Sequence, residues 1–122
     1  FSSLRYLLKN SDIISLHVPL TNENINLIEK NSFTKMRKKP IIINTSRGSI
    51  VNQNDLLSAY KKNLISGFAL DVFDTEPVQR KFLKKIKKNM NCILTPHISG
   101  VTYQSNTRVS NFIVDKVIDF FS

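Results

Sequence analysis

The segment Pro40–Val51, PIIINTSRGSIV, decides how the chain folds. Ile41, Ile42 and Ile43 form a continuous β-branched run, the pattern of a strand buried on both sides. The run then gives way at once to polar residues and to Arg47, held between Ser46 and Gly48. A cation at the immediate end of a core strand is out of place on a solvated face, so this strand end calls for a fixed positive charge.

Outward from this strand the apolar pattern alternates between two periods. Upstream, SLRYLLKN (3–10) carries Leu4, Leu7 and Leu8 on one helical face behind a serine cap, and DIISLHV (12–18) reads as a short buried strand. Helical spacing resumes through Ile25, Ile28 and Phe33 in NENINLIEKNSF (22–33). Downstream, Asn52 is placed to cap a helix holding Leu56, Leu57, Tyr60 and Leu64, and Asn63 is placed to close it in a left-handed conformation. SGFALDVF (66–73) and NCILTP (91–96) read as two further strands, separated by the basic, helix-like run QRKFLKKIKKN (79–89). A long final helix from about Thr102 sets Val109, Phe112, Ile113, Val117 and Phe120 on one side. Isoleucine-rich strands alternating with helices predict an α/β fold, a parallel sheet with helices on both faces.

In such sheets ligands bind beyond the carboxyl ends of the strands. Those ends carry His17, Pro19 and Thr21; Asn44 through Gly48; Asp71 and then Glu76; and Thr95 through His97. Arg47, Glu76 and His97 make a chemically useful set. A guanidinium grips a carboxylate or carbonyl with two hydrogen bonds, an imidazole passes a proton to or from a hydroxyl, and a carboxylate orients the imidazole. Turn chemistry alone gives no reason for three charged groups to converge on one sheet edge.

Composition narrows the field. The chain has 122 residues, is 41% hydrophobic and has one cysteine, which fits one small domain with a real core and excludes a disulfide framework or a thiolate-rich metal site. Cys92 lies in an apolar segment and reads as a buried, inert thiol. Lys and Arg number 18 against 9 Asp and Glu, a net charge of +9. The cations concentrate in KMRKKP (35–40) and in the 79–89 run, without zinc-finger spacing or the aromatic motif of an RNA-binding sheet, so they read as solvated faces and no nucleic-acid partner is expected. No membrane span or signal peptide is legible, and the expected compartment is cytoplasmic.

Four ordered motifs, SDIISLHVPLT (11–21), INTSRGSIV (43–51), GFALDVFDTEP (67–77) and ILTPHISG (93–100), resemble the D-2-hydroxyacid dehydrogenase family, which includes phosphoglycerate dehydrogenases. The resemblance implies a Rossmann-like domain that binds NAD, with NADP not excluded, and acts on a small 2-hydroxy or 2-keto acid, in a full-length protein that forms a homodimer. It implies that Arg47 holds the substrate's carboxylate and keto group, that His97 is the general acid and base, and that Glu76 is its partner. It further implies that Asp71 binds the nicotinamide carboxamide. Thr45, Ser46 and the backbone of His97–Gly100, including Ser99, would line the nicotinamide end, and His17 and Pro19 would touch the cofactor from the side.

The chain also departs from the family. Ser46, Ser99 and Asn63 replace commonly smaller residues without threatening the geometry. No G-x-G-x-x-G occurs, the only glycines being Gly48, Gly67 and Gly100. Residues 1–122 therefore read as the C-terminal half of an NAD(P)-binding domain without its glycine-rich half or substrate domain, either a fragment or a truncated gene product. A corepressor-type binding protein that senses dinucleotides, like the C-terminal-binding proteins, is the alternative to an enzyme.

Overall fold

The computed structural model describes residues 2–88 and 90–121. Asn89, the last residue of the basic run, lies outside the described residues, as do Phe1 and Ser122. Helix α1 (Leu4–Asn10) starts at Ser3, whose hydroxyl accepts a hydrogen bond from the Tyr6 N–H at 3.2 Å and supplies the cap read from sequence. Strands β1 (Ile13–Leu16), β2 (Ile41–Asn44), β3 (Gly67–Leu70) and β4 (Cys92–Leu94) form one parallel sheet in the order β1-β2-β3-β4. Ile14, Ile42, Phe68 and Cys92 stand abreast in its register, as do Leu16, Asn44, Leu70 and Leu94. Helix α3 (Gln53–Lys61) is capped by Asn52, which accepts from the Asp55 N–H, and is followed by Asn63 at φ 58°.

Two expected helices are shorter than their spacing suggested. Residues 22–33 form a 3-10 turn (Asn22–Asn24) and then the single turn α2 (Lys30–Phe33). Between them Asn26 takes φ 54°, and the chain pairs with residues 49–52: Asn26 and Ile28 donate to Ser49 and Ile50, and Asn52 donates back to Ile28. Asparagines favour such local bonding over helix, and this pairing buries Ile28 and Phe33 while Ile25 stays exposed. Among the described residues of the basic run only Arg80–Leu83 (α4) is helical. Phe82 packs edge-on against Phe73, but four lysines crowd residues 84–88, and like charges at helical spacing oppose a further turn.

One core lies between the sheet and these helices. Leu8, Phe33, Leu56, Leu57 and Phe82 from the helices join Ile14, Leu16, Ile42, Phe68 and Leu70 from the sheet. Each such side chain contributes about 1.5–3 kcal/mol by leaving water. The opposite row, Ile13, Ile41, Ile43, Ala69 and Ile93, is outside that cluster, with Ile13 59% and Ile93 67% exposed. The two-sided layering expected from the isoleucine-rich strands is thus present on one face here. Strand order runs in one direction, and right-handed crossovers then place every connection on the same side. Helix α5 (Tyr103–Phe121) forms where expected, but none of its residues is buried and its apolar stripe is exposed.

Candidate active site

All four strands end at one edge, and each end is built differently. At β2, buried Asn44 holds the turn that follows: its Nδ2 donates to the Arg47 carbonyl at 2.9 Å and its Oδ1 accepts from the Ser46 N–H at 3.1 Å. The Ser46 hydroxyl donates to the Val18 carbonyl, tying this turn to the end of β1. Gly48 lies against the backbone of Phe73 and Asp74, where a Cβ would collide with the Phe73 carbonyl, so only glycine lets the two strand ends meet. The exposed Arg47 guanidinium donates to the Ser46 carbonyl at 2.7 Å, which aims it along the edge. At β1, His17 Nε2 lies 2.8 Å from the Ser15 hydroxyl.

At the end of β3, Asp71 is 2% exposed. Its carboxylate accepts from the Thr95 hydroxyl at 2.5 Å, the Ile98 N–H at 2.9 Å, and the Ser99 N–H and hydroxyl at 3.0 and 2.6 Å. Burial alone would raise its pKa, but the bonds from Ser99, Thr95 and Ile98 outweigh it and hold the group far below the usual carboxylate range. Beyond it, Glu76 precedes Pro77 through a cis peptide bond. Glu76 Oε1 accepts from the Phe73 N–H at 3.0 Å, and Oε2 lies 2.7 Å from His97 Nδ1. The His97 contact first, and the Phe73 bond second, lower the Glu76 pKa.

His97 itself stands at φ 57°, a left-handed backbone that costs a residue other than glycine or asparagine about 1–2 kcal/mol. Asp71 holds it there twice over, through its carbonyl, which accepts from the His97 N–H at 2.8 Å, and through its carboxylate, which secures Ile98 and Ser99 just beyond. The imidazole remains 47% exposed and Glu76 37% exposed, so both are open to a ligand.

Two adjoining hollows run along this edge. One, of about 670 Å³, is lined by Thr45, Arg47, His97, Ser99, Gly100 and Val101. The other, of about 490 Å³, is lined by His17, Pro19, Leu20, Thr45, Ser46 and Arg47. Thr45 and Arg47 belong to both. The residues picked from sequence therefore come together, with two qualifications of place. Glu76 reaches the hollow through His97, and Asp71 lies behind the surface with its carboxylate turned toward Thr95 and Ser99. Asn44 and Thr95, read from sequence only as polar residues at the strand ends, here hold the turn after β2 and the Asp71 carboxylate. Another cavity, of about 180 Å³, opens beside Gln53 and Phe82 and is lined by none of the groups chosen from sequence.

A parallel α/β sheet with a cation, a carboxylate-held imidazole and paired hollows at its carboxyl edge has the ligand site of the doubly wound nucleotide-binding class where that class places it. Residues 1–99 match the D-isomer specific 2-hydroxyacid dehydrogenase NAD-binding domain, and the chain belongs to that family. It is 41% identical over 114 residues to a glyoxylate reductase from Thermococcus litoralis, covering 93% of this chain and 34% of that protein. Among solved structures it is similar to a D-lactate dehydrogenase from Sporolactobacillus (TM-score 0.86, 26% identity, 99% of this chain and 40% of that one). It is also similar to D-lactate dehydrogenase from Aquifex aeolicus complexed with NAD and lactic acid (TM-score 0.82, 34% identity, 98% and 40%). The chain spans about a third of the length of the relatives it matches. Among the described residues no helix is long and apolar enough to cross a membrane.

Proposed function

We propose that this chain supplies the acid–base and substrate-gripping half of an NAD-dependent enzyme that interconverts a small D-2-hydroxy acid and its 2-keto acid. The observation that carries the reading is the Glu76–His97 contact of 2.7 Å, with His97 lining the same hollow as Arg47. NAD, when bound, supplies the hydride acceptor or donor. Glu76 fixes His97 through Nδ1, leaving Nε2 to give a proton to the keto oxygen in reduction or to take one from the hydroxyl in oxidation. Arg47 holds the carboxylate and polarises the keto group. His17, Pro19, Thr45, Ser46, Ser99 and Gly100 fit the nicotinamide end of the cofactor, and Asp71 secures the turn that carries His97 and Ser99.

On the same reading residues 1–122 are the C-terminal half of the NAD-binding domain. The chain has no glycine fingerprint with which to hold the pyrophosphate, so that contact comes from elsewhere in the protein. The compounds in the relatives' names, glyoxylate, lactate and erythronate 4-phosphate among them, support the 2-hydroxy and 2-keto acid class without selecting one member of it, and give phosphoglycerate no particular support. Arg47→Lys in the whole enzyme tests the assignment. Losing one charge-assisted bond of about 1.5 kcal/mol should raise KM for the keto acid about tenfold. Unchanged steady-state constants would remove Arg47 from the substrate site and the reading with it.

A further inference from the structure

We propose that the opposite edge of the sheet, where the strands begin, docks the phosphate backbone of duplex nucleic acid. In the sequence the lysines fall in separate stretches and read as ordinary solvated faces. The parallel sheet gathers them. Lys38–Lys39 lead into β2, Lys61–Lys62 precede β3, and Lys87–Lys88 precede β4; all six are exposed. Backbone and side-chain contacts join these stretches. Ser66 donates to the Lys39 carbonyl, the Asn91 N–H donates to the Tyr60 hydroxyl, and Lys61 and Lys87 line one hollow with Tyr60 and Met90. Adjacent strands are about 4.8 Å apart, so the pairs form a short row of cations across the sheet.

Opposing charge is scarce at this edge. Asp12 is the acidic residue among the strand-entry segments, and it is already paired with Lys38 at 3.1 Å. Asp71, Asp74 and Glu76 lie beyond the far end of β3, at the active-site edge. Helix dipoles do not account for the row. Lys61 does complement the end of α3, but α2 and α4 have four residues each and little dipole to complement. Lys39 stands at φ 49°, a conformation that disfavours lysine by about 1–2 kcal/mol, so backbone geometry does not explain its presence either.

The shape of the row selects the partner. It is a line of cations, suited to a linear polyanion. Among the described residues no exposed large apolar side chain lies in 34–40, 60–66 or 84–91, so there is nothing to insert into a bilayer. The same segments offer no exposed aromatic ring to stack on unpaired bases, which favours a duplex contacted through phosphates, without sequence preference.

The test is fluorescence anisotropy of a labelled mixed-sequence DNA duplex of about 20 base pairs, titrated at several salt concentrations with the intact polypeptide carrying these residues. With the five lysines other than Lys38 engaged, log affinity should fall against log salt with a slope of about −4.5. Lys61→Gln, Lys62→Gln, Lys87→Gln and Lys88→Gln together should reduce the slope to about −1. The four corresponding arginine substitutions should preserve the wild-type slope. A glutamine variant that keeps the wild-type slope, with an unchanged circular dichroism spectrum, would overturn the proposal. So would binding to phosphatidylserine vesicles at salt concentrations where the duplex is not bound.

Discussion

Asp71 and Glu76 lie five residues apart on one connection after β3, yet the fold treats them oppositely. Asp71 is buried and surrounded by four donors, so its charge is used to hold the protein's own backbone. Glu76 is over a third exposed, accepts one backbone bond, and uses its second oxygen on the His97 imidazole. The difference teaches that what a carboxylate holds here follows from the donors around it: a saturated one holds the protein's own backbone, and one with an oxygen to spare is left to meet an imidazole.

Three substitutions in the intact enzyme bear on this contrast, with effects of decreasing size. His97→Asn removes the group that Glu76 serves and should lower kcat about 10²–10⁴-fold. Asparagine accepts the left-handed backbone at φ 57°, so the thermal midpoint should stay level or rise. A loss of activity matched by a loss of folded protein would return His97 to the scaffold beside Asp71.

Asp71→Asn should act mainly on stability. The amide turns its NH₂ group either toward the Thr95 and Ile98 donors on one side or toward the Ser99 donors on the other, and gives up charge-assisted bonds, a loss of about 3 kcal/mol measurable by urea denaturation. The sign of the pH effect follows from the depressed pKa. The carboxylate's contribution is complete above the unfolded value of about 3.9 and is lost as pH falls below it. Wild-type stability should therefore drop steeply in acid, while the Asp71→Asn variant, uncharged at this position, should lack that part of the slope.

Glu76→Gln should have the smallest effect, lowering kcat about tenfold, the worth of one charge-assisted hydrogen bond, with little change in denaturation midpoint. In the wild type the ionised Glu76 partner is present above the ordinary glutamate range and is lost as pH falls through its lowered pKa. The acid limb of the rate profile that belongs to Glu76 should disappear in the glutamine variant. Superimposable profiles would mean that Glu76 does not serve His97, and the contrast with Asp71 would fail.

Much of the site was legible because its residues follow recognisable strands. The isoleucine run located β2 and hence Arg47, and the apolar residues before Asp71 and Thr95 located the ends of β3 and β4. Asn63 at φ 58° and the caps at Ser3 and Asn52 are local chemistry that a few neighbouring residues encode. The reading of 22–33 as a helix went astray because its competitor, the segment 49–52, lies far along the chain. Helical spacing at Ile25, Ile28 and Phe33 could not register that pairing.

The sequence by itself determined the alternation of strands and helices, the order of the polar groups at the strand ends and the absence of a glycine fingerprint. These depend on residue type and short-range periodicity. Only the tertiary structure decided that Asp71 turns inward while Glu76 turns to His97, that α1 to α4 pack on one face of the sheet while α5 stays exposed, and that three lysine pairs share an edge. Each of these is set by which distant segments pair and which groups lose water together, and desolvation and long-range pairing leave no periodic trace in the chain.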